Sequence, residues 1–264
     1  MTGLCIDDHR VISPRVWRAI LVNDKHRNDI YGDNPHGDSA STPAIPAATV
    51  VLLRESKTGI ETLMLHRTSK VSFGGMWVFP GGRIDPEDHE GTDSELGAAY
   101  HAAARETLEE TKLSVDPDAF AYFAHWTPPP GTPKRYSTYF FASQLPNETS
   151  IEVDGEEIQG HAWMSPSRAL KRHAAGEIDL APPTWVTLYQ LSRHAPLSSL
   201  MKRLTEQTVR IYETHITTDE DGTRIALWSG DAGYESMDPN APGSRHRLLM
   251  QPGGFTFEHS DLDY

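Results

Sequence analysis

Residues 95–113 read ELGAAYHAAARETLEETKL, and a glycine pair, Phe79-Pro80-Gly81-Gly82, stands a short way upstream. The long stretch is rich in alanine, the best helix former. Leu96, Tyr100, Ala103 and Thr107 recur at helical spacing, and Ser94 or Asp93 supplies an N-cap. On such a helix Glu106, Glu109 and Glu110 stand at i, i+3 and i+4 and share one face. Like charges so spaced cost roughly 0.2–0.5 kcal/mol per pair, and in the last turn they also oppose the helix dipole. A hard divalent cation reverses both penalties, and Mg²⁺ suits one or two carboxylates plus a substrate phosphate. A solvated acidic face is the other reading. Arg105, four residues before Glu109, is placed to brace that carboxylate. Gly81 and Gly82 follow a β-like run, Met76–Phe79, and let the backbone approach a ligand closely.

Upstream of the glycine pair, AATVVLL and IETLMLHR read as two strands joined by a Gly-containing turn. Downstream, AFAYFAHWTPP and RYSTYFFASQLP read as two further strands, and GEEIQGHAWM as another. SPSRALKRHAAGEI and APPTWVTLYQLSRHA begin with prolines and read as helices. Beyond Leu200 the pattern predicts a hairpin, TVRIYETHITT against TRIALW around DEDG, then the short runs RHRLLM and GFTFEH. Few helices among irregularly alternating strands predict a mixed α/β sandwich. The expected organisation is an N-terminal extension over 1–44, a domain over 45–200, and a β-rich C-terminal extension over 201–264. The tail looks too small to fold alone, so it packs on its own domain or makes a homodimer.

The chain has 264 residues, enough to bury a core without disulfides, and its single cysteine, Cys5, excludes a Cys-rich zinc site. The apolar run Ala47–Leu53 is far too short to cross a bilayer. The polar N-terminus does not read as a signal peptide, so a cytoplasmic setting is expected. With 24 basic against 37 acidic residues the net charge is −13. Such a chain has no bulk attraction for nucleic acid or anionic membrane. A small phosphorylated anion would need a local device, such as a bound divalent cation.

Taken together, Gly81, Glu87, Arg105, Glu106, Glu109, Glu110 and Leu113 resemble the Nudix hydrolase signature: Gly, five residues, Glu, seven residues, then Arg-Glu-hydrophobic-x-Glu-Glu-x-Gly-hydrophobic. Three positions depart from it. Glu87 and Arg105 are separated by 17 residues rather than seven, Thr107 replaces a large aliphatic, and Lys112 replaces glycine. The enlarged box is similar to that of the coenzyme A diphosphatase branch and its bacterial relatives. Arg67 and Gly75-x-x-x-Phe79-Pro80-Gly81-Gly82 match part of that branch's upstream motif.

The resemblance implies an α/β/α Nudix sandwich with a mixed sheet. It implies a hydrolase that cleaves the diphosphate of a nucleoside diphosphate derivative such as coenzyme A or NADH. Glu106, Glu109 and Glu110 would hold Mg²⁺ or Mn²⁺, with Glu106 or Glu157 as general base. Gly81, Gly82, Arg67, Arg135 and Trp77 would contact substrate. A non-catalytic nucleotide-binding or regulatory module with the same fold is the alternative, although such modules usually lose one or more box glutamates and all three helix glutamates remain here. The inserted residues Asp88–Ser94 are expected to form a surface loop near the substrate mouth.

Overall fold

The computed structural model of the chain describes residues 25–33, 43–69, 72–260 and 263–264. Cys5 and the apolar patch Val16–Val22 lie outside them. A first hairpin joins β1 (Ile45–Ser56) to β2 (Gly59–Arg67), with Ser56 opposite Gly59 across a tight turn. Two short strands follow, β3 (Trp77–Val78) and β4 (Gly81–Arg83), and then a 3₁₀ turn, Pro86–His89. The alanine-rich stretch is helix α1 (Glu95–Thr111), capped by Ser94 Oγ accepting from the Gly97 amide. Next come β5 (Ala121–Thr127), β6 (Tyr136–Gln144) and β7 (Ile158–Met164). Three helices complete this part: α2 (Pro166–Ala174), α3 (Pro182–Ser192) and α4 (Leu197–Glu206).

The main sheet runs β3-β2-β1-β6-β5-β8, where β8 is Arg210–Glu213, with β4 on β1 and β7 on β2. It is mixed: β1 and β6 run parallel from Ile45↔Tyr136 to Leu53↔Gln144, whereas β1 and β2 are antiparallel. Alternate side chains of β1 enter different cores, as a strand buried on both faces requires. Ala48, Val50 and Leu52 meet Ala99, Ala102 and Ala103 of α1. Val51 and Leu53 join a second core with Leu188 and Leu191 of α3 and Leu197, Leu200 and Leu204 of α4. Small alanines on α1 let it lie close to the sheet. No helix among the described residues is long and apolar enough to cross a membrane.

The region after Leu200 differs from its sequence reading in three ways. α4 stands where no helix was expected; its buried Leu197, Leu200 and Leu204 follow an i, i+3, i+7 stripe. The expected long arm TVRIYETHITT is two strands. β8 (Arg210–Glu213) pairs parallel with β5 in the main sheet, and β9 (His215–Thr218) pairs with β10 (Arg224–Leu227) in the predicted hairpin. Thr214 separates them: its amide donates to Thr127 O, and its hydroxyl accepts from Trp228 Nε1. Finally β11 (His246–Gln251) and β12 (Gly254–His259) complete a four-stranded antiparallel sheet. Ile216, Trp228, Leu248 and Met250 of this region share one core with Val51 and Leu53. The tail therefore packs on its own domain.

Candidate active site

Glu106 and Glu110 of α1 close on the β3–β4 turn. Pro80 O accepts from both the Val50 amide and Thr49 Oγ1, which pins the turn to β1. Gly81 then pairs with Thr49 and Gly82 with Ala48. A Cβ on Gly81 would strike Ala48 O and lie 2.7 Å from Thr49 Cα, so backbone packing demands glycine there. The reason at Gly82 is different. A Cβ would stand within 2.6 Å of every carboxyl atom of Glu106. Glycine here makes room for a functional side chain rather than for a neighbouring strand.

Three carboxylates of α1 border the same cleft as this turn, in different ways. Glu110 is 4% exposed; its Oε2 accepts from the Gly81 amide at 3.0 Å and its Oε1 from Arg67 Nη1 at 3.2 Å. Arg67 also reaches Glu157 through Nη2. Glu106 and Glu109 both accept from Arg105 Nη1, at 2.9 and 3.2 Å. Burial pushes the Glu110 carboxyl up to about 8, against the opposing Gly81 amide and Arg67 charge. Burial also raises Glu106, and the fields of Glu109 and Asp85 add to it while Arg105 opposes. Among the described residues no three acidic, imidazole or thiolate groups converge on one point as they stand.

The two departures on the helix itself have local explanations. Thr107 is fully buried, and its hydroxyl donates to Ala103 O at 2.7 Å. That bond to the preceding turn satisfies the polar atom, so the side chain fits an apolar position. Lys112 adopts the left-handed conformation, φ 60°, that glycine would otherwise supply, and its amide still donates to Leu108 O. The helix end is therefore kept without the glycine.

These groups line one cleft of about 750 Å³. Arg67, Gly81, Gly82, Arg105, Glu106, Glu109 and Glu110 all border it. Trp77 and Arg135, expected to contact substrate, do not. Trp77 stacks on His66 at 5.0 Å, and Arg135 Nε donates to Pro128 O. These contacts hold both side chains away from the cleft. Val78 borders the cleft in place of Trp77, and Lys134 and Tyr136 in place of Arg135. Sequence reading missed Lys134, whose Nζ lies 3.0 Å from Ser72 Oγ; it stands in the bend before β6, where no periodic pattern marks it. Arg83, Phe73, Asp154 and Ile30 also border the cleft. The expected surface loop Asp88–Ser94 does not, and Asp88 within it is 4% exposed.

Residues 43–183 match the family model described as "NUDIX domain". This chain belongs to the Nudix family. Its fold agrees with that of a solved Nudix hydrolase from Alicyclobacillus acidocaldarius: TM-score 0.56 and 22% identity, over 64% of this chain and 98% of that one. Among curated relatives, "Putative nudix hydrolase 7" of Caenorhabditis elegans is 23% identical over 78% of this chain and 85% of its own length. "Acyl-coenzyme A diphosphatase NUDT19" of Gallus gallus is 29% identical over 65% of this chain. The match to the latter spans only 51% of that protein's length, and the match to its Homo sapiens counterpart 25%. The protein is a Nudix hydrolase, an enzyme of diphosphate linkages.

Nudix enzymes typically use a divalent metal, and the donor set here suits one. The α1 carboxylates are hard oxygen donors, and the space over Gly82 is kept open for one of them. Among the described residues, seven carboxylates line the cleft against five cationic side chains. An anionic diphosphate would meet net repulsion there without a further positive charge.

Proposed function

We propose that this Nudix hydrolase cleaves the diphosphate of a nucleoside diphosphate derivative, releasing two phosphorylated halves, with Glu106, Glu109 and Glu110 holding Mg²⁺ or Mn²⁺. The observation that carries the reading is the packing of Glu106 and Glu110 against the Gly81–Gly82 turn, with Glu109 in the same cleft as Arg67, Arg83 and Lys134. A bound divalent cation would supply charge neutralisation for the diphosphate and acidify the attacking water.

The chain's own groups divide the remaining work. Arg83 and Lys134 offer charged donors for phosphate oxygens at the rim. Gly81 and Gly82 let the backbone come close to the phosphate chain. Glu106, whose carboxyl occupies the space over Gly82, is placed to serve as the general base that takes a proton from water. Glu157, paired with Arg67 and half exposed, serves that purpose less well. Stabilisation of the transition state is then electrostatic positioning, with no covalent nucleophile required.

A coenzyme A derivative is the substrate favoured within this class. Support comes from the likeness to the acyl-coenzyme A diphosphatases and from Arg67 with the Gly75–Gly82 run. A cleft of about 750 Å³ is large enough for more than a diphosphate. The test is a panel of coenzyme A, NADH, ADP-ribose and dinucleoside polyphosphates with Mg²⁺ or Mn²⁺, and EDTA as control. Metal-dependent release of two phosphorylated products is expected, with coenzyme A the best substrate. Glu109→Gln and Glu110→Gln should abolish turnover in folded protein. Wild-type rates in either variant, or full activity in EDTA, would reject the metal assignment.

A further inference from the structure

The family match begins at residue 43, yet Ile30, which lies before it, borders the cleft. The side chains around Ile30 hold it there. Asn28 is 1% exposed; its Nδ2 donates to Asp179 Oδ1 at 2.8 Å, and its Oδ1 lies 2.8 Å from His173 Nε2 of α2. Asp29 is buried, pairs with Arg224 of β10, and accepts the Tyr31 amide through Oδ1 at 3.0 Å. Tyr31 is 1% exposed and belongs to the core shared by α3, α4 and the C-terminal sheet. Polar groups buried this deeply are stable only with their partners. Residues 28–31 are therefore seated by fixed contacts to the α2–α3 connection on one side and to β10 on the other. Ile30 alone among the four stays partly exposed.

The cleft extends across the end of the main sheet. Val78 and Phe79 are neighbours in the chain, fall in different cores, and both border it. One side carries the glutamates of α1. The other side is built from residues 25–33, β5 and residues 181–184, which contribute Ile30, Trp126, Ala181, Pro183 and Thr184. Among the described residues, no charged side chain of these segments borders the cleft. Trp126 is 3% exposed and stacks on Tyr212 at 3.7 Å, so it offers no open face to a nucleobase. Ala181 and Thr184 are buried as well. Ile30 and Pro183 are left partly exposed, and both are aliphatic. Such a surface gains by covering an apolar group and offers nothing to a polar one.

We propose that residues 25–33 form the far wall of the active-site cleft and that Ile30 is a specificity-determining residue, packing on an aliphatic group that the substrate carries beyond its diphosphate. This wall comes from chain outside the family domain, anchored by Asn28 and Asp29. The inference rests on the diphosphate reading given above and adds to it the surface that selects among diphosphates.

The test uses the full chain with Mg²⁺ and two terminal alkyl esters of ADP, methyl-ADP and hexyl-ADP, which share adenosine and diphosphate and differ only in the apolar group. Wild type, Ile30→Ala and Ile30→Val are compared by kcat and KM on each ester. In a hydrophobic pocket one methylene is worth about 10- to 200-fold in discrimination. Wild type should therefore show the higher kcat/KM on hexyl-ADP. Ile30→Ala should lower the hexyl-to-methyl ratio by about 10-fold, through KM on the hexyl ester. Ile30→Val, one methylene shorter, should lower the ratio less, and it decides the matter if Ile30→Ala does not fold. The ratio is blind to the fraction of folded protein, so a loss of stability cannot imitate the effect. An unchanged ratio in the folded Ile30 variants, or an equal loss on both esters, would overturn the proposal. If wild type cleaves other diphosphates but prefers methyl-ADP, or cleaves neither ester, the proposal falls and the diphosphate reading stands. If wild type cleaves no diphosphate at all, that reading fails and takes this proposal with it.

Discussion

Gly82→Ala is the sharpest probe of the geometry, because it separates catalysis from folding. The added Cβ would stand within 2.6 Å of the Glu106 carboxyl atoms, whereas ordinary contact begins at 3.4 Å. The carboxylate must therefore retreat by about 1 Å, and a displacement of that size costs about 100-fold in rate, or about 3 kcal/mol in the barrier. The atoms that must give way are the far end of a flexible side chain, so the fold is little disturbed. Removing a glycine also restricts the unfolded chain, a small gain of about 0.4–1 kcal/mol. Gly81→Ala is the contrast. There the Cβ meets the backbone of Ala48 and Thr49, and stability falls instead. The assay is metal-dependent product release from the best diphosphate, with kcat and Tm measured for both variants. Wild-type kcat in Gly82→Ala, or a loss of Tm as large as that of Gly81→Ala, would refute the reasoning.

Two further predictions concern stability away from the cleft. Burial pushes Asp231 up, but hydrogen bonds from Arg247 and the His246 and Gly233 amides outweigh it and hold the carboxyl below its usual range. Asp231→Asn strands the buried Arg247 guanidinium, and unfolding measurements should show a loss of about 3–5 kcal/mol, with kcat unchanged in the folded fraction. Acid should weaken the fold through buried histidines. Burial lowers His246 to about 4, helped by Arg210 and His259, and burial with His26 and Arg27 lowers His173 to about 4. The unfolded state takes up a proton near pH 6.5 that the folded state refuses, so this stability is complete above that pH and drains as pH falls toward 4. For His246 alone the loss between about pH 7.5 and about pH 5 is about 2 kcal/mol. Urea denaturation at the two values should show it, and His246→Gln should reduce it; a pH-independent midpoint would contradict the assignment.

How far the sequence carried depended on the range of each interaction. The α1 helix was legible because its signals are local: the Ala-rich stretch, a Ser94 cap, apolar residues at helical spacing. The shared face of Glu106, Glu109 and Glu110 followed from helix geometry alone. By contrast, placing Arg135 and Trp77 at the substrate needed their tertiary contacts with Pro128 and His66. Each position was read one residue away from the side chain that faces the cleft. The buried partner of Arg105 is Asp88, one residue past Glu87, and that pairing is set by a contact across 17 residues that no local pattern shows. α4 escaped because LSSLMKRLTE carries only a thin apolar stripe, which gains its energy from a core assembled elsewhere.

What the chain determined by itself, then, was the helix with its acidic face, the Gly81–Gly82 turn before it, the succession of strands and the class of chemistry. These depend on backbone propensity and on spacing along one element. Tertiary structure alone decided that β8 returns to the main sheet beside β5 and that the C-terminal sheet shares its core. It also decided that Arg67 reaches Glu110 and that Arg105 is divided between Asp88 and the two outer glutamates. Those outcomes rest on contacts between residues far apart in sequence, whose energies depend on burial and register that no local pattern encodes.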